Sequence, residues 1–274
     1  SGSIKGLICV GVDPVYSFPN SEVFAEAYSN LDLSVSFSFK EDATASLSQL
    51  VAATPHYLES WGDTQMKKGS FGLMQPTIRP LFDTRQFQDC LLKLTGNTIK
   101  YYDYIRETWT NSILGVSTWN QALHDGVLVS DVELENEEIP INVGLDSNTS
   151  QGTMSSNLQE GGLELTLYTK TSMGDGQQSN NPWLQEMPDP ITRASWDNYL
   201  TVSASDASEM ELINNNVANG GLNGSYVNVT VGDVVIENVP VLIQPGQAKG
   251  SVGLALGYGK TASIQNEMQT GVNA

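Results

Sequence analysis

Three side chains in the segment PHYLESWGD have the chemistry of metal ligands. His56, Glu59 and Asp63 are close enough in sequence to gather on one side of a turn or helix. A metal site would need at least one more convergent ligand and a fixed geometry. The alternative is that these residues anchor a loop through hydrogen bonds, and we favour that interpretation.

The segment LGYGKT, residues 256–261, has some features of a phosphate-binding loop. A Walker A motif requires a glycine, four further residues and then Gly-Lys-Thr. Counting back from Gly259, the first position of that motif falls on Leu254 and not on Gly253. The residues that follow also lack a helical pattern. We therefore predict a glycine turn between two strands.

The other residues with functional chemistry are scattered. Trp183 and Trp196 flank a Pro-Asp-Pro turn and could stack on a ligand, but we favour packing at a domain junction. His124 is expected at the end of a helix, and no Ser-His-Asp or Cys-His order stands out. Three asparagines satisfy the Asn-x-Ser/Thr rule for glycosylation: Asn148, Asn223 and Asn228.

The two cysteines argue against cysteine-bound metal within this chain. Cys9 lies in the apolar run LICVGV, so we expect a buried, inert thiol. Cys90 is predicted to lie on a helix. Since the sequence contains no CxxC motif, neither an iron–sulfur cluster nor structural zinc is expected here. Two cysteines do not identify a redox compartment.

Charge and composition restrict the class of partner. The net charge of −18 over 274 residues argues against nucleic acid, which requires clustered Lys and Arg. The simplest interpretation is an acidic soluble surface, and the alternative is steering toward a basic partner such as a cationic electron carrier. No stretch is long and apolar enough to span a membrane, and no signal peptide is present. The first residues, Ser-Gly-Ser, are typical of an excised fragment.

The first half of the chain has the pattern of an α/β layer. Residues 4–12 are predicted to form a buried strand, followed by a helix that Asn20 or Ser21 caps. Leu33, Val35, Phe37 and Phe39 alternate with polar residues and predict a half-buried strand. A third strand in LSQLVAATP is stopped by Pro55. This order favours parallel strands with right-handed crossovers.

Three further helices are predicted after this sheet. Asp83 is expected to open the first, with Gln86 as a capping-box partner and Gly96 as the stop. Its apolar face would consist of Phe87, Cys90, Leu91 and Leu94. Tyr102, Ile105 and Trp109 mark the face of the second, and residues 119–124 form the third.

The second half is predicted to be all-β. Residues from about 130 to 180 are rich in acidic and small polar residues, and SMGDGQQSNN has the composition of a mobile loop. One strand interrupts them, with Leu163, Leu165, Leu167 and Thr169 on one face. NYLTVS, YVNVTVGDVVIENVPVLIQ and SVGLALGY supply further short strands, which favours a closed or nearly closed barrel.

Several segments resemble the molybdopterin oxidoreductases. GVDP followed by FPN resembles a family segment that lines the pterin–guanine dinucleotide site. EDATASLSQLVAATP resembles a stretch in which Thr-Ala precedes a strand ending in proline. PHYLESWGD, QPTIRPLFDTRQ, NPWLQEMPDPITRASWDNYLTVSASDA and VGLALGYGK most resemble the large extracytoplasmic subunit of alternative complex III, a bacterial quinol-oxidising respiratory complex.

The resemblance implies a fold and a site. Residues 1–130 would form part of a Rossmann-like α/β domain, 131–182 an acidic connection with one strand, and 183–274 a six-stranded double-psi β-barrel with a short helix starting at Asp206. The residues carried over to a vestigial dinucleotide site are Gly11, Asp13, Pro14, Gly257, Tyr258 and Gly259. Asp13 stands where the family usually has Asn, and its charge opposes a phosphate ligand.

The resemblance also implies a role. In the leading hypothesis, the chain is a cofactor-free scaffold in a periplasmic respiratory subunit that contacts iron–sulfur and cytochrome c domains. The parent protein would carry the iron–sulfur clusters. The alternative is a fragment of an active bis-pterin molybdenum enzyme, which would use molybdopterin guanine dinucleotide. A free-standing ligand-binding β protein is a third hypothesis, suggested by the Asn-, Gly- and Trp-rich composition.

Overall fold

A computed structural model describes residues 3–129, 162–218, 221–262 and 264–274. The chain divides into two compact units, Ser1–Val143 and Gly144–Ala274, and each is described by itself. The boundary falls in a stretch outside the described residues, as do most of the predicted acidic connection and Asn148. Within the described ranges, no helix combines the length and apolar character needed to cross a lipid bilayer.

The first unit begins with a parallel sheet, as predicted. Its three described strands pair in chain order, with Ile8 opposite Val35 and Val35 opposite Leu50. Short helices lie in the connections, as expected for parallel strands. The elements are β1 (Gly6–Val10), α1 (Pro14–Ser17), α2 (Ser21–Ser29), β2 (Leu33–Ser38), α3 (Ala43–Leu47) and β3 (Leu50–Ala53).

Burial in this sheet differs from the predicted pattern. On β2 the serines are buried, with Ser34 and Ser36 each 1% exposed, whereas Leu33 is 45% exposed. A hydrogen bond accompanies this burial: Ser34 Oγ accepts from the backbone N–H of Gln49 at 2.9 Å. The prediction of a buried first strand was also wrong for Ile8, which is 47% exposed. Of the predicted apolar face, Phe37 is buried at 7% exposed, so the alternation identified the strand but only part of its covered surface.

The rest of the first unit packs helices against an antiparallel sheet. Trp109 is completely buried and packs with Ile105, Leu114, Trp119 and Ala122. The predicted face of the second helix and the existence of the third are thereby confirmed. The elements are β4 (Gly62–Lys67), β5 (Ser70–Met74), α4 (Phe87–Leu94), α5 (Tyr101–Ser112), α6 (Trp119–Asp125) and β6 (Val127–Val129), and β5 lies between β4 and β6.

The predicted start of α4 was wrong. The helix begins at Phe87, with Gln86 at the N-cap and no side-chain cap bond. The Gln86 side chain instead bonds to the Trp61 backbone. Its Nε2 donates to Trp61 O at 2.8 Å, and its Oε1 accepts from the Trp61 N–H at 3.2 Å. A tertiary contact therefore uses the side chain that the capping-box pattern assigned to the helix. The stop was predicted correctly, since α4 ends just before Gly96, which has a φ of 81°.

The second unit is built on a mixed sheet of five described strands. Their order is β11-β12-β8-β13-β7, in which β13 is antiparallel to β8 and parallel to β7. Val202, Val239 and Leu254 are fully buried in its core. The elements are β7 (Glu164–Thr169), α7 (Pro182–Glu186), β8 (Leu200–Val202), α8 (Ala204–Glu209), β9 (Asn214–Asn216), β10 (Leu222–Gly224), β11 (Tyr226–Val231), β12 (Val234–Ile243) and β13 (Ser251–Leu256).

The described strands do not close into the predicted barrel. The sheet has β11 at one end and β7 at the other, and β9 pairs with β10 in a separate hairpin. Period-two patterning describes an open sheet as well as a closed one, so it could not specify closure. The face predicted for β7 was also incomplete. Leu165 packs on the core, but Leu163 and Leu167 are 44% and 48% exposed.

Candidate functional site

The loop after β1 contains the three residues assigned to the vestigial site in the first unit. It follows the carboxyl end of a parallel strand, where open α/β sheets bind ligands. Gly11 has a φ of 62°, which glycine adopts without strain, and its amide donates to Phe37 O at 2.9 Å. Pro14 is the first residue of α1, a position that needs no N–H donor. Backbone geometry therefore fixes this loop.

Asp13 is engaged by a residue of its own chain. Its Oδ1 accepts hydrogen bonds from the Thr44 amide at 3.0 Å and from the Thr44 hydroxyl at 2.8 Å. Thr44 is completely buried in the first turn of α3, and its Oγ1 accepts from the Val15 amide at 3.1 Å. The carboxylate thus ties the loop after β1 to α3. It occupies the position from which an anion would approach the two Thr44 donors.

A second carboxylate bonds to the same turn of α3. The buried Asp42 is the N-cap, and its Oδ1 accepts from the Ala45 amide at 2.9 Å. Its Oδ2 accepts from the Ser38 hydroxyl at 3.0 Å. A phosphate at a helix N-terminus would need such N–H groups. Since two carboxylates already accept from the amides of Thr44 and Ala45, this turn is unfavourable for a further anion.

A cleft of about 640 Å³ lies beside this loop, entirely within the first unit. Its walls come from the ends of β1 and β2, from β4 and β5, and from the starts of α4 and α5. The described residues that line it include no Lys or Arg. Size and apolar character are typical of a small-molecule pocket. The largest lining side chains are Phe37, Trp61, Met66, Met74, Phe87 and Tyr101.

The polar groups in this cleft also disfavour an anion. Asp63 carries a carboxylate, whose Oδ2 accepts from the Trp109 indole at 2.9 Å. Burial, together with the negative charges of Asp63 and Asp89, raises the pKa of Tyr101 to about 12. The Tyr101 hydroxyl is therefore neutral at physiological pH. The cleft suits a neutral or cationic group better than a phosphate.

The residues considered as metal ligands hold loops in place. His56 caps the short helical turn Tyr57–Glu59. The Glu59 carboxylate accepts from the His56 amide at 3.2 Å and from the Leu81 amide at 3.3 Å. Asp63 is bonded to an indole. Among the described residues, no three His, Cys, Asp or Glu side chains group as a metal site would require. These bonds confirm the loop-anchor interpretation for His56 and Glu59, whereas Asp63 lies in β4 and ties that strand to Trp109.

The turn at residues 257–259 is packed inside the second unit. Gly257 has a φ of 95°, and a Cβ there would lie 2.7 Å from Gly174 O. Tyr258 is 3% exposed, and the Gly259 amide donates to Thr270 O at 2.9 Å. The segment that was expected to be a mobile loop, SMGDGQQSNN, supplies this close backbone contact through Gly174. A dinucleotide contact at this turn stays a prediction.

A buried lysine beside this turn was missed in the sequence. Lys170 follows β7 and is 4% exposed. Its Nζ donates to Asp197 O at 2.9 Å and lies 4.0 Å from the centre of the Tyr199 ring and 5.0 Å from that of Tyr258. Burial lowers its pKa to about 8, against the opposing effect of Asp189 and Asp197. The available signal was Tyr168 two residues before it, which gives an aromatic and a cation on one side of the strand.

The remaining candidates lie apart from these groups. Trp183 is 81% exposed, so it does not pack as expected, and Trp196 has a φ of 69°. Of the asparagines in the glycosylation pattern, Asn228 accepts through Oδ1 from the backbone N–H of Asn238 at 3.1 Å, and Asn223 is exposed. Two other predictions are confirmed. His124 lies in the last turn of α6, and Cys9 is buried.

Comparison with known proteins gives a structural likeness only. The chain is similar to acetylene hydratase from Pelobacter acetylenicus, with a TM-score of 0.61 and 13% sequence identity. The match covers 97% of this chain and 40% of that protein, so the chain spans less than half of its length. At this identity the likeness concerns the fold alone. No protein-family model matches the sequence, and no curated protein matches it either.

Proposed function

We propose that this chain is a cofactor-free portion of a larger molybdopterin-oxidoreductase-like subunit. It would act as a scaffold for electron-transfer partners in a quinol-oxidising membrane complex, on the periplasmic side. The fold likeness to acetylene hydratase, a molybdopterin-family enzyme, supports the fold part of this proposal. The respiratory role is supported by the sequence segments that resemble alternative complex III. The five-stranded sheet would be the counterpart of the family's double-psi barrel.

The observation that carries the cofactor-free part is the pair of bonds between Asp13 and Thr44. A pterin dinucleotide presents phosphates, which need amides or cations to replace their hydration. Here a carboxylate accepts from the donors that such a phosphate would need. Asp42 adds a second negative charge at the same turn. The Asp13 carboxylate thus takes the place that a bound phosphate would need, which fits a structural role for this loop.

The charge of the chain supports a basic partner. At a net charge of −18, long-range attraction favours cationic proteins and opposes anionic ligands. We propose cytochrome c domains and an iron–sulfur domain as the neighbours. Titration of the chain with a basic cytochrome c at rising salt tests this part. Binding that weakens steeply with salt is expected, and binding only to an acidic cytochrome would contradict it.

Cofactor content tests the central part. The chain should be purified from a host that makes molybdopterin guanine dinucleotide, and its molybdenum and its oxidised pterin should be measured. We expect far less than one equivalent of either per chain. Stoichiometric molybdenum together with pterin would contradict the scaffold proposal and favour the active bis-pterin enzyme.

A further inference from the structure

Lys170 is a buried ammonium group without a bonded counter-ion among the described residues. Its one described hydrogen bond goes to the backbone oxygen of Asp197, at 2.9 Å. The described ion pairs of the chain do not include it. An ammonium has three N–H donors, and its burial is costly unless charge and donors are matched. The closed arrangement therefore disfavours the protonated form of this lysine.

Three segments of the second unit meet at this group. Lys170 itself follows β7, the loop before β8 contributes Asp197 and Tyr199, and the turn at residues 257–259 contributes Tyr258. The Tyr258 ring covers the ammonium, and the Gly257 backbone lies against Gly174. If this turn moved away, water would reach the lysine. Opening of the turn would uncover the Tyr258 side of the ammonium, while Tyr199 and the Asp197 oxygen stay in place.

We propose that Lys170 makes closure of the 257–259 turn proton-dependent: the turn binds a proton on this lysine when it opens and releases that proton when it closes. The tyrosine rings attract a cation and reduce the cost of the closed protonated form, but they do not neutralise it. Closure of the 257–259 turn is therefore less favourable at neutral pH than at mildly alkaline pH. This inference does not depend on the proposed scaffold function.

Acidic and phenolic groups face the lysine from the segments packed around it. The acidic groups are Asp189 and Asp197, which favour the charged lysine through space. Their effect is smaller than that of burial, so the pKa of Lys170 falls from 10.5 to about 8 in the closed state. The phenols of Tyr168, Tyr199 and Tyr258 all have raised pKa values, chiefly because of burial. In the closed state they therefore stay neutral at the pH where the lysine titrates.

The sign of the pH effect follows from the two pKa values. An unperturbed lysine has a pKa of 10.5, which the proposal assigns to the hydrated open state, and burial in the closed state lowers the pKa of Lys170 to about 8. Between these values the open state binds more protons, so closure becomes more favourable as pH rises. One linked proton changes the closing equilibrium by up to about ten-fold per pH unit. Below pH 8 this dependence disappears, since both states are protonated.

The test is amide hydrogen exchange at Gly259, whose N–H bonds to Thr270 O. Protection factors, corrected for intrinsic exchange, should be measured by NMR from pH 7 to 10 in the wild type, Lys170→Met and Lys249→Met. Lys249 is an exposed lysine paired with Glu209, so it serves as the matched control. We expect protection to rise above pH 8 in the wild type and in Lys249→Met, and to stay constant in Lys170→Met.

Two results would overturn the proposal. One is a wild-type protection factor that is constant from pH 8 to 10, and the other is an unchanged rise in Lys170→Met. Should Lys170→Met not fold, the wild type alone decides the question through the NMR titration of its lysine side chains. Lys170 must then titrate well below Lys249, whose pKa is raised by Glu209. A Lys170 that titrates with the exposed lysines would contradict the proposal.

Discussion

The Oδ1 of Asp13 accepts two hydrogen bonds from Thr44, one from the amide at 3.0 Å and one from the hydroxyl at 2.8 Å. These residues lie 31 positions apart and join the loop after β1 to the first turn of α3. The same residue that departs from the family pattern thus has a structural role. An asparagine would offer the same acceptor oxygen without the charge.

Two replacements of Asp13 should distinguish how much its hydrogen bonds and its charge each contribute to stability. Asp13→Ala leaves the buried Thr44 hydroxyl and amide without their acceptor, and should lower the free energy of unfolding by roughly 1–3 kcal/mol. Asp13→Asn keeps the acceptor and should cost less. Urea unfolding of both variants measures the difference. Ser17→Ala, at the end of α1, serves as the control because, among the described residues, its hydroxyl bonds only to the backbone oxygen of Asp13, at 3.0 Å. Equal losses for Ala and Asn would show that the charge matters more than the acceptor.

Asp63 should stabilise the first unit through Trp109. The indole N–H of this fully buried tryptophan donates to Asp63 Oδ2 at 2.9 Å. Asp63→Ala removes the acceptor and should cost about 1–3 kcal/mol, whereas Asp63→Asn should cost less than about 1 kcal/mol. Thermal unfolding followed by tryptophan fluorescence measures both. An Asp63→Ala variant with unchanged stability would mean that the indole finds another acceptor.

Gly257 should tolerate a side chain less well than Gly246 does. Both have a positive φ, of 95° and 86°, so alanine is strained at either position. A Cβ at Gly246 would meet nothing within 4 Å, whereas at Gly257 it would lie 2.7 Å from Gly174 O. Gly257→Ala should therefore be less stable than Gly246→Ala by about 1–3 kcal/mol. Denaturant unfolding of the pair measures this difference, and equal stabilities would argue against the close approach.

Alkaline pH should destabilise the first unit through Tyr101. Its pKa is about 12 when folded, mainly because of burial, and 10.0 as the reference value of an unperturbed tyrosine. The unfolded state loses the proton first, so the stability from this group is complete below pH 10 and is lost as pH rises toward 12. Stability measured across this range should fall less steeply in Tyr101→Phe. An identical fall in both proteins would show that other groups cause it.

Local pattern predicted many elements of the fold. The strand–helix–strand order of the first unit, the Gly96 stop and the faces of Ile105 and Trp109 were all visible as periodicity and turn chemistry. Burial was less predictable, because a strand with alternating residues can present either face to its cover. On β2 the serines are buried, and two of them bond to the segment that follows: Ser34 to the Gln49 backbone N–H and Ser38 to Asp42.

The site was less predictable than the fold for a physical reason. The partner of Asp13 is 31 residues away, and that of Asp63 is 46 residues away. No local pattern contains either pair. Lys170 was overlooked because a lysine is expected to be exposed, and only tertiary packing brings Tyr199 and Tyr258 over it. The described strands also lack the expected barrel closure, since period-two strands do not encode which edges pair.

Calorimetric titration of guanosine diphosphate into the wild-type chain and Asp13→Asn tests the central claim most directly. Thr44 keeps its acceptor in both proteins, so its donors stay committed and no cation is gained. The account predicts no saturable binding by either protein in the micromolar range. Micromolar binding by the wild type that is weakened by changes at Gly11 or Pro14 would show a functional nucleotide pocket, and would contradict the scaffold account.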